Sequence, residues 1–214
     1  MGPSFKASRL PLGGLMTLRI PQLAITEEAQ KLLRATRADF SRIAAPAVPG
    51  RGSGFVPSPL GEYDFVQVRN QSEYLRLVSI VEAFVDTCSG QQFHHRASGR
   101  DEFLRTLAAE VRETSLKGWE ERKTAFKKYH GVVIGDCARW NDIDGARQVR
   151  NSIAHGLGRL TPQQQNRTIK RKITDVGVTF RGDQLVIDSN ALDKCVKSAI
   201  AFIVDVDRRL KLRT

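Results

Sequence analysis

Apolar residues return along most of this chain at helical spacing, and the interruptions divide it into elements. Thr26 followed by Glu27 and Glu28 reads as an N-cap with acids in a first turn, and Leu32, Leu33, Phe40 and Ile43 then recur on one side, predicting a helix over 27–45. Pro46, Pro49, Gly50, Gly52, Gly54, Pro57, Pro59 and Gly61 next crowd a stretch that neither a helix nor a central strand tolerates. From Ser72 the residues Tyr74, Leu77, Val78, Val81, Phe84, Val85 and Cys88 follow the i, i+3, i+4, i+7 rule, predicting an amphipathic helix that ends at Ser89-Gly90. Glu82 falls on the edge of its apolar stripe.

A further helical pattern begins at Asp101 with Leu104, Leu107, Ala108 and Val111, and it resumes after Gly118 through Trp119, Phe126 and Tyr129, with Gly131 as the stop. Asn141 reads as the cap of the next helix, with Asp142 and Asp144 in its first turn and Gly156 as its left-handed end. After a basic polar loop the period shortens to that of strands. Val176, Val178 and Phe180 alternate, Arg181-Gly182-Asp183 turns, and Leu185, Val186 and Ile187 return, which predicts a β-hairpin. Ser189 then caps a last helix whose stripe runs Leu192, Cys195, Val196, Ala199, Phe202, Ile203, Val206, Leu210. The expected fold is mainly α: a helical bundle of four to five helices with a small β-hairpin before the C-terminal helix. The Pro/Gly stretch divides an N-terminal arm, 1–62, from a main domain, 63–214.

Composition narrows what such a bundle can do. The 214 residues, 41% hydrophobic and 27% charged, suffice for a full core and exclude a disordered tail or a disulfide miniprotein. Lys and Arg number 34 against 23 Asp and Glu, a net charge of +11 that favours polyanionic partners. No apolar run reaches the roughly 20 residues of a membrane span, so no membrane partner is expected. Met1 to Leu15 lacks the apolar region and cleavage site of a secretory signal. Cys88, Cys137 and Cys195 show no paired spacing, and the expectation is reduced thiols in a cytoplasmic protein, with no zinc site.

The residues that carry chemistry lie together in Gly145-Ala-Arg-Gln-Val-Arg150-Asn151-Ser-Ile-Ala-His155-Gly156. On a helical wheel Ile143, Ala146, Val149, Ile153, Ala154 and Leu157 share one side, and Arg150 falls between them. A guanidinium there needs a carboxylate or a polar cavity, and Glu82 is the candidate partner, with Asp86 as the structural alternative. Asn151 and His155, four apart, project from one side, and the long Arg150 side chain can bend toward them. Imidazole both accepts and gives a proton near neutrality, and the guanidinium fork fits phosphate oxygens. His94 and His95 read as solvated, and His130 as a helix-end histidine.

An arginine, a polar residue directly after it and a histidine four residues further on, on a late helix of a small bundle, resembles the signature of the HEPN superfamily (higher eukaryotes and prokaryotes nucleotide-binding), with Arg150, Asn151 and His155 as the match over residues 72–212. The resemblance implies a metal-independent endoribonuclease without cofactor, of the toxin or antiviral-effector type, in which two copies bring their motifs together in a homodimer cleft. It makes Arg150 and His155 catalytic, Asn151 an organising residue and Glu82 a loosely matching acid. It also turns Arg147, Arg167, Lys170, Arg171 and Lys172 into grips for an RNA backbone, where a solvated face is the default reading. An inhibitory antitoxin-like partner would fit such an enzyme. The competing expectations are a noncatalytic HEPN-like nucleotide- or RNA-binding subunit or antitoxin-type partner, and a structural dimer whose basic face binds DNA.

Overall fold

A computed structural model describes residues 23–42, 55–56 and 63–211. Met1 to Leu15 and most of the Pro/Gly stretch lie outside them. The described residues form seven α-helices and two short antiparallel strand pairs: α1 Ala24–Arg42, β1 Phe55–Val56, β2 Tyr63–Asp64, α2 Phe65–Ala97, α3 Glu102–Ser115, α4 Trp119–Ala125, α5 Trp140–Gly156, α6 Arg167–Asp175, β3 Thr179–Arg181, β4 Gln184–Val186 and α7 Ser189–Lys211. The fold is therefore mainly α with a hairpin before the last helix, as expected. Helices exceed the expected number because the 101–129 pattern breaks at Gly118 and the basic stretch after α5 is itself helical.

The two longest apolar stripes make the core. Every residue of the predicted α7 stripe is buried, as are Tyr74, Leu77, Val78, Val81, Phe84, Val85 and Cys88 of α2. Helix α2 runs well beyond its expected limits at both ends. Asp64 caps it, its carboxylate accepting from the Val66 and Gln67 amides at 2.9 and 3.1 Å. At the other end Gly90 does not stop it, because Phe93 carries the buried stripe one turn further and the helix closes only at Ser98. A Cβ added at Gly90 would lie 3.0 Å from the Arg112 guanidinium, so the glycine is a contact with α3 and not a cap. His94 and His95 thus stand on the last turns of α2, exposed as expected.

The first helix starts at Ala24, so Thr26 is no N-cap but a fully buried residue of the first turn. Nor is α1 detached from the body. Ala29 and Leu33 join the common core, and Arg37 reaches Asp193 at 2.6 Å, Glu73 at 3.4 Å and the Ser189 hydroxyl. Leu33 alone, removed entirely from water, contributes about 2 kcal/mol. Asp188, not Ser189, caps α7, accepting from the Ala191 amide at 2.8 Å, which leaves the Ser189 hydroxyl to Arg37.

Helix α4 continues into one π-helical turn, Phe126–His130, and ends where expected, on Gly131 at φ 68. His130 closes this turn and is 1% exposed, its Nε2 3.0 Å from the Ser89 hydroxyl and its ring edge-on to Phe93 and Phe126. The predicted hairpin pairs Thr179 with Val186, Phe180 with Leu185 and Arg181 with Gln184. The three cysteines are free and buried, and burial pushes the Cys88 and Cys195 thiols up to about 12. No helix among the described residues is long and apolar enough to cross a membrane.

Candidate functional site

Helix α5 is set into the bundle by Ile143, Ala146, Val149 and Ile153, all buried. Its start differs from expectation. Arg139, left-handed at φ 62, occupies the N-cap position, and Asn141 lies exposed inside the first turn. Asp142 is in that turn as expected and accepts from the Ser198 hydroxyl of α7 at 2.7 Å. One flank of α5 carries α6 at close range. A Cβ added at Gly145 would stand 2.5 Å from the Lys172 carbonyl oxygen and 2.7 Å from a Val176 methyl, so only glycine permits this approach.

The motif residues follow along the same helix. Arg147, Arg150 and Asn151 are half-buried, and Ala154 and His155 are exposed. Ala154 and Leu157 were expected on the buried side. The wheel fails at this end because the bundle no longer covers the last turn. Arg150 donates to the Asn151 Oδ1 at a long 3.5 Å, and it makes no ion pair among the described residues. Its expected partnership with Glu82 does not form. Glu82 belongs to the contact between α2 and α4, where it accepts from the Trp119 indole at 2.9 Å. Asp86, the alternative, is held by both arms of the Arg122 fork at 2.6 and 2.8 Å. Half-exposed, Arg150 keeps part of its hydration, and that lessens the need for a carboxylate.

The cations expected to grip a backbone sit on two adjoining helices. Arg147 pairs with Asp144 at 2.7 Å and lies 3.7 Å from Glu120, while Lys172 reaches the other oxygen of Asp144 at 2.6 Å. Arg167, Lys170, Arg171 and Lys172 are not in a loop. They belong to α6, capped by Asn166 through the Ile169 amide at 2.9 Å and anchored by buried Ile173. Arg167 and Arg171 are exposed and Lys170 is half-buried, with no ion pair for these three among the described residues. Asp144 thus ties α5 to α6 by one cation from each, while the free cations point to solvent.

The exit from α5 is held with equal care. Gly156 is the last helical residue and not the left-handed one; Leu157 at φ 51 and Gly158 at φ 84 make the turn. The buried Gln164 side chain donates to the Gln148 carbonyl at 2.8 Å and accepts from the Ser152 hydroxyl at 2.8 Å and the Thr161 amide at 3.1 Å. Strand β4 closes the other side, the Leu185 amide donating to the Gly158 carbonyl at 2.8 Å. Sequence reasoning missed this clasp and the left-handed leucine. The Gly156-Leu157-Gly158 triplet was the local signal for the latter, while Gln164 carries no signal visible along the chain.

No family model, curated protein or solved structure matches the chain. Fold and site together define a mainly α bundle that carries a half-buried arginine and amide and an exposed imidazole on one helix, beside a cationic helix.

Proposed function

We propose that this protein is a metal-independent endoribonuclease of the HEPN type, working as a homodimer in the cytoplasm as a toxin or antiviral effector. The observation that carries the reading is the state of the motif: on the last two turns of α5 Arg150 is half-exposed and His155 exposed, Arg150 free of any carboxylate among the described residues, with the unpaired cations of α6 on the neighbouring helix. A structural arginine on a helix facing its bundle would be paired. One left unpaired beside an exposed imidazole is available to a phosphate.

In this reading the RNA 2′-hydroxyl loses its proton to a base, its oxygen bonds to the adjacent phosphorus, and the bond from phosphorus to the 5′ oxygen breaks as that oxygen takes a proton. The products are a 2′,3′-cyclic phosphate and a 5′-hydroxyl. His155 and its copy in the second chain supply the acid and the base. Arg150 neutralises the charge that grows on the phosphate oxygens, and Asn151, through its amide oxygen, steadies the guanidinium. Arg147 and α6 hold the flanking backbone.

The test is cleavage of single-stranded RNA and matching DNA in EDTA, with end-group analysis. RNA cut to cyclic-phosphate ends and DNA spared is the expected result. RNA bound but left whole identifies a noncatalytic binding subunit, and a metal requirement or equal cutting of DNA refutes the mechanism.

A further inference from the structure

The least comfortable residue next to the motif is Leu157. Its φ of 51 places a branched apolar side chain in the left-handed region, where its Cβ crowds the backbone and glycine is the ordinary occupant of a helix end. Glycines stand on both sides of it, at 156 and 158, yet the strained position itself holds leucine. Its side chain is no core residue either. Leu157 is 72% exposed, and the turn is fastened by backbone bonds, Leu157 and Gly158 amides to the Ser152 carbonyl and Leu185 amide to the Gly158 carbonyl, none of which needs a leucine. Backbone strain with an apolar side chain turned to water is a cost without a folding benefit, and such costs persist where the side chain meets something.

We infer that Leu157 makes an apolar contact with the face of an unstacked base next to the scissile phosphate, an inference that rests on the ribonuclease reading above. The surroundings select the occupant. Two residues before Leu157 stands exposed His155, two residues after it exposed Arg159, and half-exposed Arg150 lies five residues before His155. A polyanion is attracted to these cations and brings flat apolar rings within reach. Single-stranded RNA offers such rings; duplex keeps them stacked. Leu157 then sets substrate position and leaves proton transfer to His155.

The test uses the full chain and a single-stranded RNA oligonucleotide of mixed sequence. In the His155→Ala background, adding Leu157→Gly weakens RNA binding about fivefold, the loss expected for one apolar contact of this size. The penalty disappears on an oligonucleotide with an abasic site at the contacted position. In the active chain Leu157→Gly raises KM with little change in kcat, while its melting temperature equals or exceeds that of the parent because glycine relieves the strain. Leu157→Asn, which tolerates positive φ better than leucine does, reproduces the loss of RNA binding. RNA cut by the parent and by Leu157→Gly with the same KM overturns this inference alone, and a parent that neither binds nor cuts RNA overturns it together with the ribonuclease reading. Weakened self-association in sedimentation with RNA affinity intact assigns the leucine to a protein contact and also overturns it.

Discussion

Acid should destabilise this protein through one histidine. His130 lies in the core between Phe93 and Phe126, and burial, with Arg96 nearby adding repulsion, holds its imidazole down at about 4 from the ordinary 6.5. The folded core accepts the neutral ring, and the unfolded chain lets it charge. Above pH 6.5 both states are neutral at this site and stability is full. As pH falls from 6.5 toward 4 the unfolded state takes up a proton that the folded state refuses, so stability declines, and below about 4 the decline from this residue ends. A separation of that width corresponds to about 3 kcal/mol, a large share of the 5–15 kcal/mol of a typical domain. Urea unfolding followed by the fluorescence of Trp119 and Trp140, at intervals from pH 7.5 to 4.5, measures it. His130→Gln keeps a polar partner for Ser89 and cannot charge. It should therefore lose about 2–3 kcal/mol less than the parent across that range. Carboxylates, Glu73 among them with its pKa raised by burial, are common to both proteins and cancel in the difference. Parallel loss of stability in parent and variant would refute the reasoning.

Three further outcomes test the site. His155→Ala and Arg150→Ala should each abolish RNA cleavage in a gel assay while changing stability by less than about 0.5 kcal/mol, since neither side chain supports the core; full activity in His155→Ala removes the catalytic assignment. Gly145→Ala should cost about 1–3 kcal/mol in chemical denaturation, because the new methyl meets the Lys172 carbonyl and displaces α6 from α5. Replacing Arg167, Lys170 and Arg171 with glutamine should weaken RNA binding and reduce the slope of affinity against salt by up to about one counterion per contact, with Tm unchanged; Lys172→Gln should also lower Tm, because it strips a partner from Asp144.

Periodicity along the chain was enough for the mainly α class, the hairpin and the whole buried stripe of α7, because a helix that covers a core must repeat its apolar residues every 3.6 positions wherever it packs. That Arg150, Asn151 and His155 share one helix was legible for the same local reason, since residues one and four apart on a helix have fixed relative directions. Contacts between elements were not legible. Gly90 reads as a stop until Arg112 of α3 is seen against it, and α1 reads as a detached arm until Arg37 meets Asp193 and Ser189, more than 150 positions away. Glu82 and Arg150 looked like partners because both lie at the edges of apolar stripes, but edge position says nothing about which helix stands opposite. Only the packing decided that Glu82 faces Trp119 of α4 and that Arg150, half-exposed, meets no carboxylate among the described residues. A wheel fixes direction about one helix axis, whereas partnership depends on the angle and depth at which two axes cross, and those are set by the volumes of all the side chains between them.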